Sequence, residues 1–195
     1  MILLIYQIPV CRIDKQELVD CFAADMIYLG MNNAVVKWFR ITQNQYFGFF
    51  ALGLAFFALQ ELPYIIMPLI PLQSNPLMEM QDKSVVLNAI EKVLGVSCII
   101  VMLFLVRSDS KWFSLSTSRE KIFFGVAILA IIGYFIGWIF YYCGFQGLPL
   151  ILSTLVALPP IYYTFIGLWR GNYVLAVLGG MFLLAHVANV WNNLM

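Results

Sequence analysis

The sequence predicts an all-α fold: a polytopic integral membrane bundle of about five transmembrane helices, with the N-terminus in and the C-terminus out. Three observations predict it. Of 195 residues, 63% are hydrophobic and 11% are charged, whereas a soluble domain carries about 25% charged residues to build its water-facing surface. Five apolar segments are each long enough to cross a hydrocarbon core of about 30 Å at about 1.5 Å per residue. Positive charge also alternates from one connecting segment to the next, as it does when loops lie on alternate sides of a bilayer.

The chain opens "MILLIYQIPVCRIDKQELVDCFAADMIYLG". Its apolar start is too short to span, and it lacks the basic n-region of a signal peptide. Asp14, Glu17, Asp20 and Asp25 make it the most acidic part of the chain. From Met31 the text "MNNAVVKWFRITQNQYF" reads as a compact start with a basic flank. Two readings stand side by side. Residues 1–30 are an over-extended reading frame with Met31 as the natural start, or they form a short cytoplasmic amphipathic helix. In both, residues 1–44 are a cytoplasmic N-terminal segment and 45–195 a single transmembrane domain.

The spans fall at Tyr46–Ile70, Val85–Val106, Ile122–Tyr142, Leu148–Leu168 and Tyr173–Trp191. Lys37 and Arg40 precede the first. Arg107, Lys111, Arg119 and Lys121 lie between the second and third, and Arg170 lies between the fourth and fifth. The opposite loops hold Lys83 with Glu79 and Asp82, then the uncharged "CGFQGLP" and the neutral end "NNLM". Positive charge marks the cytoplasmic side, so a plasma membrane protein would start inside and end outside. Trp38, Trp112, Trp169 and Trp191 sit at predicted span ends, where amphipathic rings anchor to headgroups.

The first span holds the pattern that bears on function, "ALQELPYIIMPLIP", residues 58–71. Glu61 lies roughly 24 Å along a helix counted from Gln45, His186 roughly 21 Å from Asn172, and Glu91 and Lys92 roughly 24 and 22 Å back from Arg107. The ionisable side chains of the spans, with Gln60 and Asn189, thus share one level toward the outer side. Intramembrane charges normally face the bundle or a wet cavity and find a partner; Lys92 and His186 are the candidates for Glu61. Pro63 and Pro68 in the first span, and Pro159 and Pro160 in the fourth, cannot donate to the preceding turn. Freed carbonyls beside a carboxylate form a polar notch, tolerated only against protein or water. The bland readings stand beside this: prolines are common in membrane helices and kinks can serve packing alone, and Glu91 with Lys92 can mark an interfacial first turn.

Gly133, Gly137, Gly179 and Gly180 allow helices to approach closely, within the chain or between copies. Net charge +1 supplies no basic face for nucleic acid. The single His excludes a multi-histidine metal centre. The four cysteines show neither CxxC nor zinc-like spacing, and no dinucleotide, P-loop, zincin or nucleophile-elbow motif occurs. No metal or cofactor is therefore expected. The partners implied are the lipid bilayer, a homo-oligomer or a membrane partner subunit.

Three functions are compatible with these residues. The leading one is a small non-enzymatic membrane protein that binds or transports a small molecule, ion or lipid through an outward-facing notch around Glu61. The alternatives are a membrane-embedded enzyme using Glu61 and His186 as acid and base on a lipid or peptide, and an accessory or assembly subunit of a membrane complex.

Overall fold

The computed structural model describes residues 35–72, 74–108 and 111–195, so the two readings of residues 1–30 and of Met31 lie outside the described residues. The chain is mostly helical. Five helices are long and apolar enough to cross a membrane: α1 with its 3-10 extension (Ala51–Leu69), α2 (Val85–Phe104), α3 (Ser118–Tyr142), α4 (Leu148–Arg170) and α5 (Tyr173–Leu194). Their length and composition point to an integral membrane location.

The all-α expectation is corrected by a three-stranded antiparallel sheet. Strands β1 (Val35–Arg40), β2 (Gln45–Phe50) and β3 (Leu105–Arg107) lie in the order β1-β2-β3. The register pairs Val35 with Phe50 and Arg40 with Tyr46, with an irregularity between Lys37 and Phe39. Gln45 pairs with Arg107 and Phe47 with Leu105. Residues 45–50, read above as the start of the first span, are aromatic enough for either state, and aromatic and β-branched side chains favour strands. Gly48 makes the pairing possible, since a Cβ there would stand 2.0 Å from the Val36 carbonyl oxygen. Arg40 ties the hairpin turn, its Nε donating to the Thr42 carbonyl at 2.9 Å and its Nη2 to that of Gln43 at 3.0 Å. The first span therefore begins at Ala51 rather than Tyr46, and the second ends at Phe104 rather than Val106.

Helix starts are capped as the sequence permits. Thr117 and Glu120 form a reciprocal capping box at α3, which satisfies two of the orphan first-turn donors. Asn172 caps α5 through the Leu175 N–H at 3.2 Å, and Gly171 adopts φ 62° to close α4, a left-handed conformation open to glycine without a Cβ clash.

The prolines act differently from one another. Pro63 sits inside α1, whereas Pro68 lies in the 3-10 turn Met67–Leu69 that ends it; it terminates the helix and does not kink it. In α4 a π-helical stretch, Ile151–Val156, precedes Pro159 and Pro160, which stand in the first turn of the renewed α-helix. Proline is cheapest in a first turn, where its missing N–H would be unpaired in any case. The fourth span keeps right-handed helical backbone through this stretch, and its hydrogen-bond pattern changes there from π to α.

Close packing holds α3, α4 and α5 together. A Cβ on Gly137 would come 2.3 Å from Thr154 Oγ1, and one on Gly179 would come 2.8 Å from the Thr164 backbone nitrogen. Gly133 would meet Leu158 at 3.0 Å, while Gly180 faces open space. Three of the four predicted packing glycines thus lie at contacts within the chain. Gly53, Gly95 and Gly167 also sit at close approaches. The core is aromatic: Tyr134, Trp138, Tyr141 and Tyr162 are all fully buried.

Candidate functional site: a mid-span cavity beside a polar ladder

The two ends of the bundle differ in character. At the hairpin end, Lys37 donates to the Ser108 carbonyl, Arg107 to that of Gly171 at 3.1 Å, and Trp169 to that of Ser114 at 2.8 Å. These bonds gather the basic connections on one side. At the other end Ser74 donates to Gln146 and Tyr141 to Asn75, both at 2.7 Å.

Between the ends lies a cavity of about 260 Å³, lined among others by Glu61, Tyr64, Gly95, Pro159, Tyr163 and His186. Its level is the middle of the bundle. Glu61 is near the centre of Ala51–Leu69, Gly95 of Val85–Phe104, Pro159 of Leu148–Arg170, and the lining residue Phe182 of Tyr173–Leu194. Because the first helix starts at Ala51 and not at Gln45, Glu61 stands nearer the start of its helix than the count from Gln45 placed it, close to the helix centre. Gly95 lets the Phe182 ring approach; a Cβ there would stand 3.3 Å from it.

Gln60 and Glu61 are neighbours with opposite environments. Gln60 is 4% exposed, and its side-chain oxygen accepts from the Tyr163 hydroxyl. Glu61 is half-buried and makes no hydrogen bond or ion pair among the described residues. The carbonyl of Pro63 accepts from the Tyr142 hydroxyl at 2.6 Å. Behind Tyr64, which packs edge-on against Trp138 with centroids 4.9 Å apart, the buried Tyr134 hydroxyl and Trp138 indole N–H make no well-formed hydrogen bond among the described residues. Orphan polar groups of this kind are commonly served by buried water.

A turn away, the polar side chains of α2 and α5 form a ladder. His186 Nδ1 lies 2.7 Å from Glu91 Oε1, and the Asn189 amide donates to Glu91 Oε2. Asn193 donates in turn to Asn189 Oδ1 at 3.4 Å, and accepts from the Lys83 backbone N–H at 3.0 Å. The His186 ring stacks on Phe182, centroids 5.0 Å apart, and lines the cavity. The ladder thus runs from the connection before α2 down to the chamber that holds Glu61.

The structure brings Glu61, Gln60 and His186 to one cavity and joins Glu91 and Asn189 to His186. It gives His186 to Glu91, not to Glu61. Lys92, the next residue along α2, is exposed and, among the described residues, partners neither carboxylate. Sequence reasoning missed Tyr163, Tyr64, Asn193 and Gly95. Asn193 was legible, lying four residues after Asn189 and therefore on the same helix face; the tyrosines carried no signal separating a lining role from packing. Among the described residues no group of three His, Cys, Asp or Glu side chains is placed to hold a metal ion. Compared with known proteins, the chain matches no family model, no curated protein and no solved structure.

Proposed function

We propose that this chain is a non-enzymatic integral membrane protein of the plasma membrane that binds or moves a small cation, a proton or a protonated molecule through the cavity around Glu61. The observation that carries this reading is a carboxylate that, among the described residues, has no hydrogen-bond or ion-pair partner and lines a cavity at the mid-level of the bundle. A charge near the bilayer centre costs about 2.5–3.5 kcal/mol on insertion scales, so a carboxyl at this level is offset by a bound partner, by water or by a proton. π-helical turns inside α-helices occur frequently at functional sites, and the π stretch Ile151–Val156 ends just before Pro159, which lines the cavity. The Asn193–Asn189–Glu91–His186 ladder supplies a polar route toward the chamber from one end. In this reading the hairpin end, with its gathered Lys and Arg residues, faces the cytoplasm, and the C-terminus lies outside.

The test is a flux assay in vesicles enclosing a pH-sensitive dye, with sodium, potassium or a primary amine imposed as a gradient. Wild type discharges at least one gradient, and Glu61→Gln does not. Full flux in Glu61→Gln would overturn the proposal.

A second reading, an embedded enzyme, is favoured by one observation. His186 and Glu61 line the same cavity, and Glu91 occupies the Nδ1 side of the imidazole, as a carboxylate does when it orients a catalytic histidine. Turnover of a lipid or peptide that is lost in His186→Ala, with gradient discharge absent from wild type, would favour it.

A further inference from the structure

The hairpin end carries a second cavity, larger than the first at about 530 Å³ and independent of Glu61. Its lining includes Arg107, Lys111, Arg119 and Arg170 against one carboxylate, Glu120. That carboxylate is already engaged: it accepts from Ser114 Oγ at 3.0 Å and from the backbone N–H groups of Ser116 at 2.6 Å and Thr117 at 3.3 Å. Two of the cations are held in place. Arg107 Nη1 donates to the Gly171 carbonyl at 3.1 Å, and Arg170 donates to the Lys111 carbonyl while its guanidinium stacks 3.9 Å over the Phe50 ring. The side chains of the other two, Lys111 and Arg119, are exposed and make no hydrogen bond or ion pair among the described residues, although the Lys111 charge is near enough to Glu120 to favour its ionised form.

Position narrows the ligand. The cavity sits where α2 has just ended, α3 begins, and α4 passes to α5, which is the level of the lipid headgroups for helices of this length. Phe123, Leu168 and Tyr173 complete its wall, an apolar side suited to a glycerol backbone and the start of an acyl chain. Basic pockets between transmembrane helices bind anionic headgroups; a guanidinium presents a fork of donors to phosphate oxygens, and a lysine ammonium adds a point charge. We infer that this cavity binds the phosphate of an anionic phospholipid headgroup, with Lys111 and Arg119 as the cations that close on it. The site ties the first turns of α3 and α5 to the bilayer and leaves the mid-span chamber to its own ligand.

The experiment uses the full chain in a mild detergent. It is titrated with phosphatidylglycerol, with phosphatidylcholine and with inorganic phosphate, reading thermal unfolding and the lipid retained in native mass spectrometry. Phosphatidylglycerol raises Tm and is retained, and phosphatidylcholine is not. The double variant Lys111→Gln/Arg119→Gln weakens the apparent affinity by roughly fivefold for each charge removed. Both side chains are exposed, so the variant folds, and its Tm without lipid matches wild type. Lys83→Gln, an exposed charge at the other end, leaves lipid retention unchanged. Inorganic phosphate reproducing the shift at the same concentrations would overturn the lipid assignment in favour of a free phosphate. Equal retention of the two lipids, or an equal loss in Lys83→Gln, would overturn the site itself.

Discussion

Glu61 and Glu91 are the same side chain at neighbouring levels of one bundle, on different helices and with opposite surroundings. Glu91 is fully occupied: an imidazole on one oxygen, an amide on the other, and a second amide behind the first. Glu61 lines a cavity and, among the described residues, has no such partner. Where protein groups satisfy a carboxylate, removing it leaves them unpaired and the fold loses stability. Where nothing satisfies it, removing it relieves the fold, and the residue is kept for what it binds. The difference is why Glu61, and not Glu91, is the carboxylate proposed to meet a ligand.

The largest effect that would break this comparison lies at Glu91. Glu91→Ala orphans the His186 and Asn189 side chains, and should lower stability by about 2–3 kcal/mol; thermal unfolding in detergent reads it. Next is Asn189→Ala, which takes a 2%-exposed amide from the middle of the ladder and should cost about 1–2 kcal/mol, since hydrogen bonds between membrane helices are modest individually. An unchanged Tm in either variant would mean that Glu91 is not held by its neighbours. Glu61→Gln keeps the shape and removes the charge, and should gain about 0.5–1 kcal/mol. Smallest is Lys92→Gln, expected within about 0.5 kcal/mol of wild type because the side chain is exposed and unpaired. A larger loss there would show that Lys92 serves one of the carboxylates after all.

The five spans were legible because twenty consecutive apolar residues have few alternatives in water or lipid. The sheet was legible in part. "VVKWFR" and "QYFGFF" flank the polar "ITQN", a hairpin pattern, but the second run merges with the apolar helix that follows and hides its own boundary. β3 carried no signal, being a three-residue continuation of α2 that depends on its pairing with β2. At the site, residue type and helical spacing identified Glu61, His186, Glu91 and Asn189. Their pairing was out of reach, because which helix faces which depends on packing at Gly137, Gly167 and Gly179, and a glycine in the text does not name its neighbour. The position of Glu61 along its helix shifted for a related reason: a count along a helix inherits any error in where the helix starts.

Carbodiimide labelling tests the central claim most directly. A hydrophobic carbodiimide adds to a protonated carboxyl in a membrane interior to give a stable acylurea that mass spectrometry assigns to a residue. The account predicts the adduct on Glu61, which faces an open chamber, with Glu91 left unmodified behind His186 and Asn189. An adduct on Glu91 with Glu61 untouched, or equal labelling of both, would contradict it.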